Sequence, residues 1–199
     1  MIMKHSFFNL MRLSFLFLIS LISITTAYGY PRNPDKSTNG DKGANVVYPV
    51  PPTSPERLFY VQRTPNSNTI LYDLNLNSDG KLNTEQPVKV YWIKYNERGQ
   101  REELNYIQRK FAYGLNAKEL NNGSYDIRFV SYKKFPLTLM KGEDGKYHIF
   151  ASIAKKQVIL NRIFVKIEGG SFWIPNVLYV EVKGTDPETG KEIVDRFKP

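Results

Sequence analysis

The nearest approach to a metal-binding motif is the stretch from Asn75 to Gln86. A calcium-binding EF-hand loop places oxygen ligands at positions 1, 3 and 5, glycine at position 6 and a bidentate glutamate at position 12. Asn75, Asn77, Asp79 and Gly80 fit the first half of that pattern, but Gln86 occupies the last position. We expect a polar loop joining two strands, with weak Ca²⁺ binding at Asn75, Asn77 and Asp79 as the alternative and no other cofactor.

Residues suited to nucleophilic catalysis are scarce. The chain has no cysteine, which excludes thiol nucleophiles, thiolate metal sites and a disulfide framework. His148 is the only histidine after residue 29, and it lies within an alternating strand pattern. No sequence typical of a serine hydrolase occurs beside it. We therefore expect a surface or half-buried strand histidine and name no catalytic residue.

The carboxylates leave one enzymatic alternative open. A glycoside hydrolase needs two facing carboxyl groups about 5–10 Å apart. Asp73 and Glu181 are the most unusual acids because each lies within an apolar strand run. The remaining candidates are scattered: Glu102, Glu103, Glu143, Asp144 and Asp186. A carboxylate-dependent glycan hydrolase is therefore the less favoured alternative to a non-catalytic domain.

A short aromatic connection is the best candidate for direct contact with a ligand. It runs from Gly169 to Pro175 and contains Phe172, Trp173 and Ile174. Large apolar side chains between glycine and proline either face a ligand or close the end of a barrel. The first alternative makes Phe172, Trp173 and Ile174 candidate binding residues.

The first 29 residues have the three parts of a secretory signal peptide. Basic Lys4 and Arg12 precede an apolar run at 13–24, and small residues at Ala27 and Gly29 predict cleavage after Gly29. A membrane-spanning helix needs about 20 apolar residues, more than this run offers. We expect export to the periplasm or the cell exterior. The lack of cysteine argues against a lipoprotein.

Composition divides the remaining chain into a tether and a domain. Residues 30–56 hold six of the twelve prolines and predict a flexible tether, and residues 57–199 predict one globular domain. The net charge of +9 falls to +7 once Lys4 and Arg12 leave with the signal. Because the basic residues are spread along the chain, we expect weak attraction to anionic envelope surfaces and no nucleic-acid partner.

Apolar residues recur at every second position from Arg57 onward, which is typical of strands. Turn residues separate the runs, and the pattern predicts an all-β domain: a single antiparallel β-sandwich or barrel of about 8–9 strands. Residues 177–184 and 191–197 predict a final hairpin. Leu104, Ile107 and Phe111 share a helical face before Gly114, so one short helix is expected near 102–113.

Three strings resemble a known family. They are LFYVQR at 58–63 with Asn66, Asn68 and Tyr72 after it, PVKVYWI at 87–93, and AYG at 112–114. Together they resemble an uncharacterised bacterial family catalogued as domain of unknown function 4833, frequent among Bacteroidetes-type exported proteins. The resemblance covers roughly residues 57–197 and implies a bacterial envelope location and a single domain. It transfers no activity, cofactor or site residue.

Taken together, these features predict an exported, non-catalytic β-domain that binds an unidentified ligand or protein in the periplasm or cell envelope. A barrel would bind an apolar or amphipathic molecule inside. A sandwich would bind a glycan or a protein on a face or loop. A structural or assembly protein of the envelope is the first alternative, and the glycan hydrolase is the second.

Overall fold

The computed structural model describes residues 46–170 and 175–199. Gly29, the predicted signal peptide and most of the predicted tether lie outside these ranges. The described chain is mostly β with one short helix, which confirms the predicted class. The elements in chain order are β1 (Arg57–Arg63), β2 (Asn66–Leu74), β3 (Val88–Ile93), β4 (Arg101–Glu103), α1 (Tyr106–Phe111), β5 (Leu115–Glu119), β6 (Tyr125–Phe129), β7 (Leu137–Lys141), β8 (Tyr147–Ile153), β9 (Lys156–Gly170), β10 (Pro175–Thr185) and β11 (Glu192–Phe197).

The strands form one curled sheet that resembles half of a barrel. Its order is β4-β3-β2-β1-β9-β8-β7-β6-β5, and β10 with β11 joins through β9. The first part of β9 pairs with β8, its later part pairs with β1, and β10 pairs along its other edge. The 15-residue strand β9 therefore connects both halves of the sheet.

The pairing of β1 with β9 is parallel, which the prediction of an antiparallel sandwich or barrel did not include. Between β1 and β9 the chain forms β2, six further strands and one helix. A parallel pair needs such a long connection, whereas a hairpin makes only antiparallel pairs. The predicted final hairpin is confirmed: β10 and β11 pair from Thr185–Glu192 to Val180–Phe197.

Eleven strands occur in the described residues, more than the 8–9 expected. The additional strands are β4, β5 and β7. All three residues of β4 are exposed, and β5 (LNAKE) is exposed over four of its five residues. Neither has the apolar alternation that marks a half-buried strand. Strand β7 does alternate, but over only five residues.

Helix α1 is shorter than predicted, because residues 101–103 pair with β3 instead. The Asn105 side chain accepts a hydrogen bond from the Gln108 amide, and the Gln108 side chain accepts one from the Asn105 amide. The predicted apolar face is buried only at Leu104, before the helix begins, whereas Ile107 and Phe111 are 45% and 43% exposed. After the helix, a Cβ at Gly114 would lie 1.9 Å from the Arg109 carbonyl oxygen, so only glycine fits.

An aromatic cluster forms the centre of the core. Phe59 stacks on Tyr72 with ring centroids 4.3 Å apart, and Phe129 meets both rings edge-on. Tyr72 is fully buried, and its hydroxyl donates to the Tyr113 carbonyl at 3.0 Å. This bond ties the segment after α1 to the middle of the sheet.

The last part of the predicted tether lies against the domain. The Tyr48 ring meets Phe164 edge-on at 4.9 Å, and the Pro49 carbonyl accepts a hydrogen bond from the Gln62 side chain at 2.7 Å. No helix within residues 46–170 and 175–199 has the length and hydropathy required to cross a bilayer.

Candidate functional site

A cavity lies against the inner side of β1, β9 and β10, and its floor is aliphatic. Val180 pairs with Val165, and Val182 pairs with Ile163, across the β9–β10 ladder. Val61 of β1 pairs with Ile163 on the other edge. Because side chains alternate along strands, these register pairs bring five branched side chains to one face. The result is a continuous apolar floor.

Aromatic residues form the rest of the wall and the mouth. Tyr72 and Phe129 reach it from the core cluster. Tyr132 and Phe135, from the connection between β6 and β7, stack loosely against Phe197 with centroid distances of 6.5 and 6.0 Å. These three residues are only partly buried. The mouth of the cavity is therefore aromatic as well.

The enclosed volume of the cavity is about 50 Å³, and it continues into open space at the mouth. Small-molecule sites are mostly apolar with a few placed polar groups, and this cavity has that character at a smaller enclosed size. Among the described residues that line it, Ser131 and the tyrosines are the ones with side-chain polar groups. The arrangement suits burial of an apolar body.

A buried arginine neighbours two residues that line this cavity, although it is not itself a lining residue. Arg63 is 4% exposed and pairs in register with Val165, a residue of the cavity floor. Burial raises the pKa of the Tyr113 phenol, and the neighbouring Arg63 guanidinium partly opposes that rise. Tyr113 also lines the cavity. One cationic group therefore neighbours an otherwise apolar site.

The predicted calcium loop is held by hydrogen bonds among its own residues. The Asn75 side chain donates to the Gln86 carbonyl at 2.8 Å, and the Asn77 side-chain oxygen accepts from the Asn83 amide group at 3.2 Å. The Asp79 carboxylate accepts from the Lys81 backbone amide at 3.1 Å and pairs with the Lys81 ammonium at 3.3 Å. Within the described ranges, no three His, Asp or Glu side chains are grouped to hold a metal. Weak Ca²⁺ binding by Asn75, Asn77 and Asp79 stays a prediction.

The aromatic connection Phe172, Trp173 and Ile174 lies outside the described residues. Its neighbours Gly170 and Pro175 are cross-strand partners at the ends of β9 and β10. A direct role of these three residues in ligand contact stays a prediction.

The two strand acids are in separate ion pairs. Asp73 lies 2.5 Å from the Arg57 Nε and accepts from the Tyr91 hydroxyl at 2.7 Å. Glu181 lies 2.7 Å from an Arg196 nitrogen. Register explains both contacts, because Arg57 pairs with Asp73 and Glu181 pairs with Arg196 across neighbouring strands. Neutralisation by arginine is typical of structural carboxylates.

His148 is a half-buried strand residue whose Nε2 lies 3.0 Å from both carboxylate oxygens of Asp144. The pKa of Asp144 is lowered, first by the backbone amide of Lys146 and then by the His148 side chain. This pair closes the exposed turn between β7 and β8 and lies away from the residues that line the cavity.

The sequence had not indicated the cavity or Arg63. The available signal was the alternation Phe59, Val61, Arg63, which places a charged side chain on a face that is otherwise apolar. The two residues before Arg63 on this face enter the core and the cavity wall.

A family model described as a domain of unknown function, DUF4833, matches residues 59–196. Searches of the curated proteins and of the solved structures gave no match. The matched region starts within β1 and ends within β11, so it includes every residue of the cavity wall except Phe197. The suspected resemblance is thus confirmed over most of the chain, and the protein belongs to the DUF4833 family.

Proposed function

We propose that this protein is an exported, non-catalytic binding domain that takes an apolar or amphipathic small molecule into its cavity, in the periplasm or cell envelope. The observation that carries the proposal is the continuous apolar wall formed by β1, β9, β10 and the aromatic mouth. Such walls gain free energy by removing apolar ligand surface from water.

The enclosed cavity of about 50 Å³ holds only a small apolar group, so the rest of the ligand would lie in the open mouth between aromatic side chains. Burial of apolar surface contributes roughly 25 cal/mol per Å², so each covered area of about 100 Å² of ligand surface would contribute about 2.5 kcal/mol. Loss of translational and rotational freedom offsets part of that gain. We therefore expect micromolar or weaker affinity for a simple hydrocarbon ligand.

The proposal uses the barrel-type architecture rather than the sandwich, because the ligand enters the hollow of the curled sheet. Export rests on the signal features of residues 1–29. N-terminal sequencing of protein from the host should find Tyr30 as the first residue, and an intact Met1 in the secreted fraction would contradict cleavage after Gly29.

The two alternatives have less support. A glycan hydrolase would need facing carboxylates, whereas Asp73 and Glu181 each pair with arginine. An assembly partner of the envelope would need an extended exposed apolar patch. The cavity has a mouth of three partly buried aromatic residues, which fits a small molecule better than a protein surface.

The proposal is tested with the neutral fluorescent probe N-phenyl-1-naphthylamine. We expect saturable binding with a fluorescence increase, because the probe moves from water into an apolar site. In Val180→Phe the added ring extends into the empty space of the cavity and should weaken binding at least tenfold.

The matched control is Val194→Phe, the same substitution at a residue of β11 that is 46% exposed and outside the cavity wall. It should bind the probe as the unmodified protein does, with both variants folded by circular dichroism. Equal binding by Val180→Phe and Val194→Phe, or no binding by the unmodified protein, would overturn the proposal.

A further inference from the structure

Arg63 is buried without a counter-charge in the described part of the chain. Its exposed fraction is 4%, and its Nε is fully buried with no hydrogen-bond partner. Other buried or half-buried arginines of the sheet differ: Arg57 pairs with Asp73, and Arg162 contacts Glu181 at 3.8 Å. No ion pair to Arg63 was found within residues 46–170 and 175–199. Arg63 forms a side-chain hydrogen bond with Tyr113 but has no counter-charge there, which distinguishes it from the structural ion pairs.

The neighbours of Arg63 do not supply the missing charge. Burial raises the pKa of the Tyr113 phenol, so this group is neutral near pH 7 and carries no negative charge. Burial of an unpaired cation is strongly unfavourable unless a partner compensates it. A guanidinium accepts no hydrogen bonds and presents five N–H donors in a fixed plane, which suits a carboxylate or phosphate.

Arg63 is also next to the cavity. Its register partner Val165 and its neighbour Tyr113 are both part of the cavity wall. Apart from Ser131 and the tyrosine hydroxyls, the wall between these residues and the aromatic mouth is apolar. A ligand with one anionic end and one apolar body would match this distribution of charge.

We propose that the ligand is an amphipathic anion whose carboxylate or phosphate group is bound by the Arg63 guanidinium while its apolar body lies in the cavity and its open aromatic mouth. This inference rests on the proposed function and names the class of ligand. The anion supplies the counter-charge that Arg63 lacks, and the cavity supplies the apolar surface that the hydrocarbon requires. Arg63 is the residue that selects anionic over neutral ligands.

The experiment measures displacement of N-phenyl-1-naphthylamine by three ligands with the same twelve-carbon chain: dodecanol, dodecanoate and dodecyl phosphate, at neutral pH and below micelle formation. We expect at least one of the two anions to displace the probe about tenfold more strongly than dodecanol, as a charge-assisted bond from a buried guanidinium provides. The comparison of dodecanoate with dodecyl phosphate identifies the preferred head group.

Two substitutions of Arg63 and one control test whether Arg63 causes the preference for anionic ligands. Arg63→Met keeps the length of the side chain without its charge, and it should abolish the preference for anions while leaving dodecanol unchanged. Arg63→Lys should retain part of the preference. The control Arg98→Met removes a positive charge from an exposed turn and should behave as the unmodified protein.

Stability gives a second readout. Without ligand, Arg63→Met should unfold at the same or a higher urea concentration, because it removes an uncompensated buried charge. Loss of stability with an unchanged anion preference would make Arg63 a structural residue and overturn the inference. If Arg63→Met does not fold, Arg63→Lys and the comparison of the three ligands on the unmodified protein carry the test.

The two proposals fail in different ways. Equal displacement by dodecanol, dodecanoate and dodecyl phosphate would overturn the anionic ligand and leave the apolar cavity proposal intact. Absence of probe binding would overturn the cavity proposal and the inference with it.

Discussion

Removal of the Asp73 carboxylate should destabilise the domain strongly. Asp73 is a cross-strand partner of Arg57, and the exposed fractions of the two side chains are 5% and 14%. The Tyr91 hydroxyl donates to the second carboxylate oxygen at 2.7 Å. Asp73→Ala therefore leaves a mostly buried guanidinium and a buried hydroxyl without their acceptor.

The expected magnitude follows from this burial. Removal of one partner from a buried ion pair destabilises a protein by about 3–5 kcal/mol. Because Arg57 keeps some contact with water, we expect the lower end of that range, about 3 kcal/mol. Arg57→Met combined with Asp73→Ala should be less damaging than the sum of the two single changes, since no unpaired charge then remains.

Urea unfolding followed by circular dichroism measures this difference. The matched control is Asp126→Ala, which removes an acid from an ion pair with Arg128 in which both side chains are 34% exposed. Exposed pairs contribute about 0.2–1 kcal/mol. A loss for Asp73→Ala as small as that for Asp126→Ala would refute the structural role that we assign to Asp73.

Three further predictions concern the turns. Ala154 and Lys155 form the β8–β9 turn with positive φ angles of 49° and 65°. Because glycine adopts such angles without steric cost, Lys155→Gly should stabilise the domain by about 1 kcal/mol. The control Lys156→Gly, in β9, should not stabilise it, and equal urea midpoints for the two variants would contradict the prediction. The Asp144 carboxyl should titrate below its usual pKa of 3.8 by NMR. Since the folded pKa of Asp144 is lowered, its contribution to stability is present above the unfolded pKa and is lost as pH falls through the folded pKa. His148→Ala should raise the folded pKa only part of the way to 3.8, because the Lys146 amide still lowers it. A value at or above 3.8 in the unmodified protein would contradict the prediction. Addition of Ca²⁺ should shift the amide NMR signals of Asn75, Asn77 and Asp79 at about millimolar concentration, and Asp79→Asn should weaken this binding. The absence of any shift at tens of millimolar Ca²⁺ would rule out the calcium site.

Local patterns in the sequence predicted the strands well where burial alternates. The hairpin of β10 and β11 and the runs in β1, β2, β3, β6 and β8 follow from apolar residues at every second position. Exposed edge strands carry no such pattern, and β4 and β5 could not be predicted for that reason. The helix was expected too long because Arg101–Glu103 pairs with β3, a tertiary contact that local spacing does not encode.

The pairing of strands far apart in the chain was the main feature that the sequence alone could not predict. The parallel pairing of β1 with β9 joins residues about one hundred positions apart, as Tyr60 with Arg162. The register of that ladder assembles the cavity floor and places Arg63 beside Val165. Without the register, neither the cavity nor the pairing of Asp73 with Arg57 can be derived, although Arg63 on an apolar strand face was a readable signal.

The most direct test of the account is native mass spectrometry of the mature protein gently extracted from its host. We predict a reproducible mass excess of a few hundred daltons that dissociates as a small amphipathic molecule and is lost in Val180→Phe but retained in Val194→Phe. A bare monomer, or an excess of equal size in both variants, would contradict binding in the cavity.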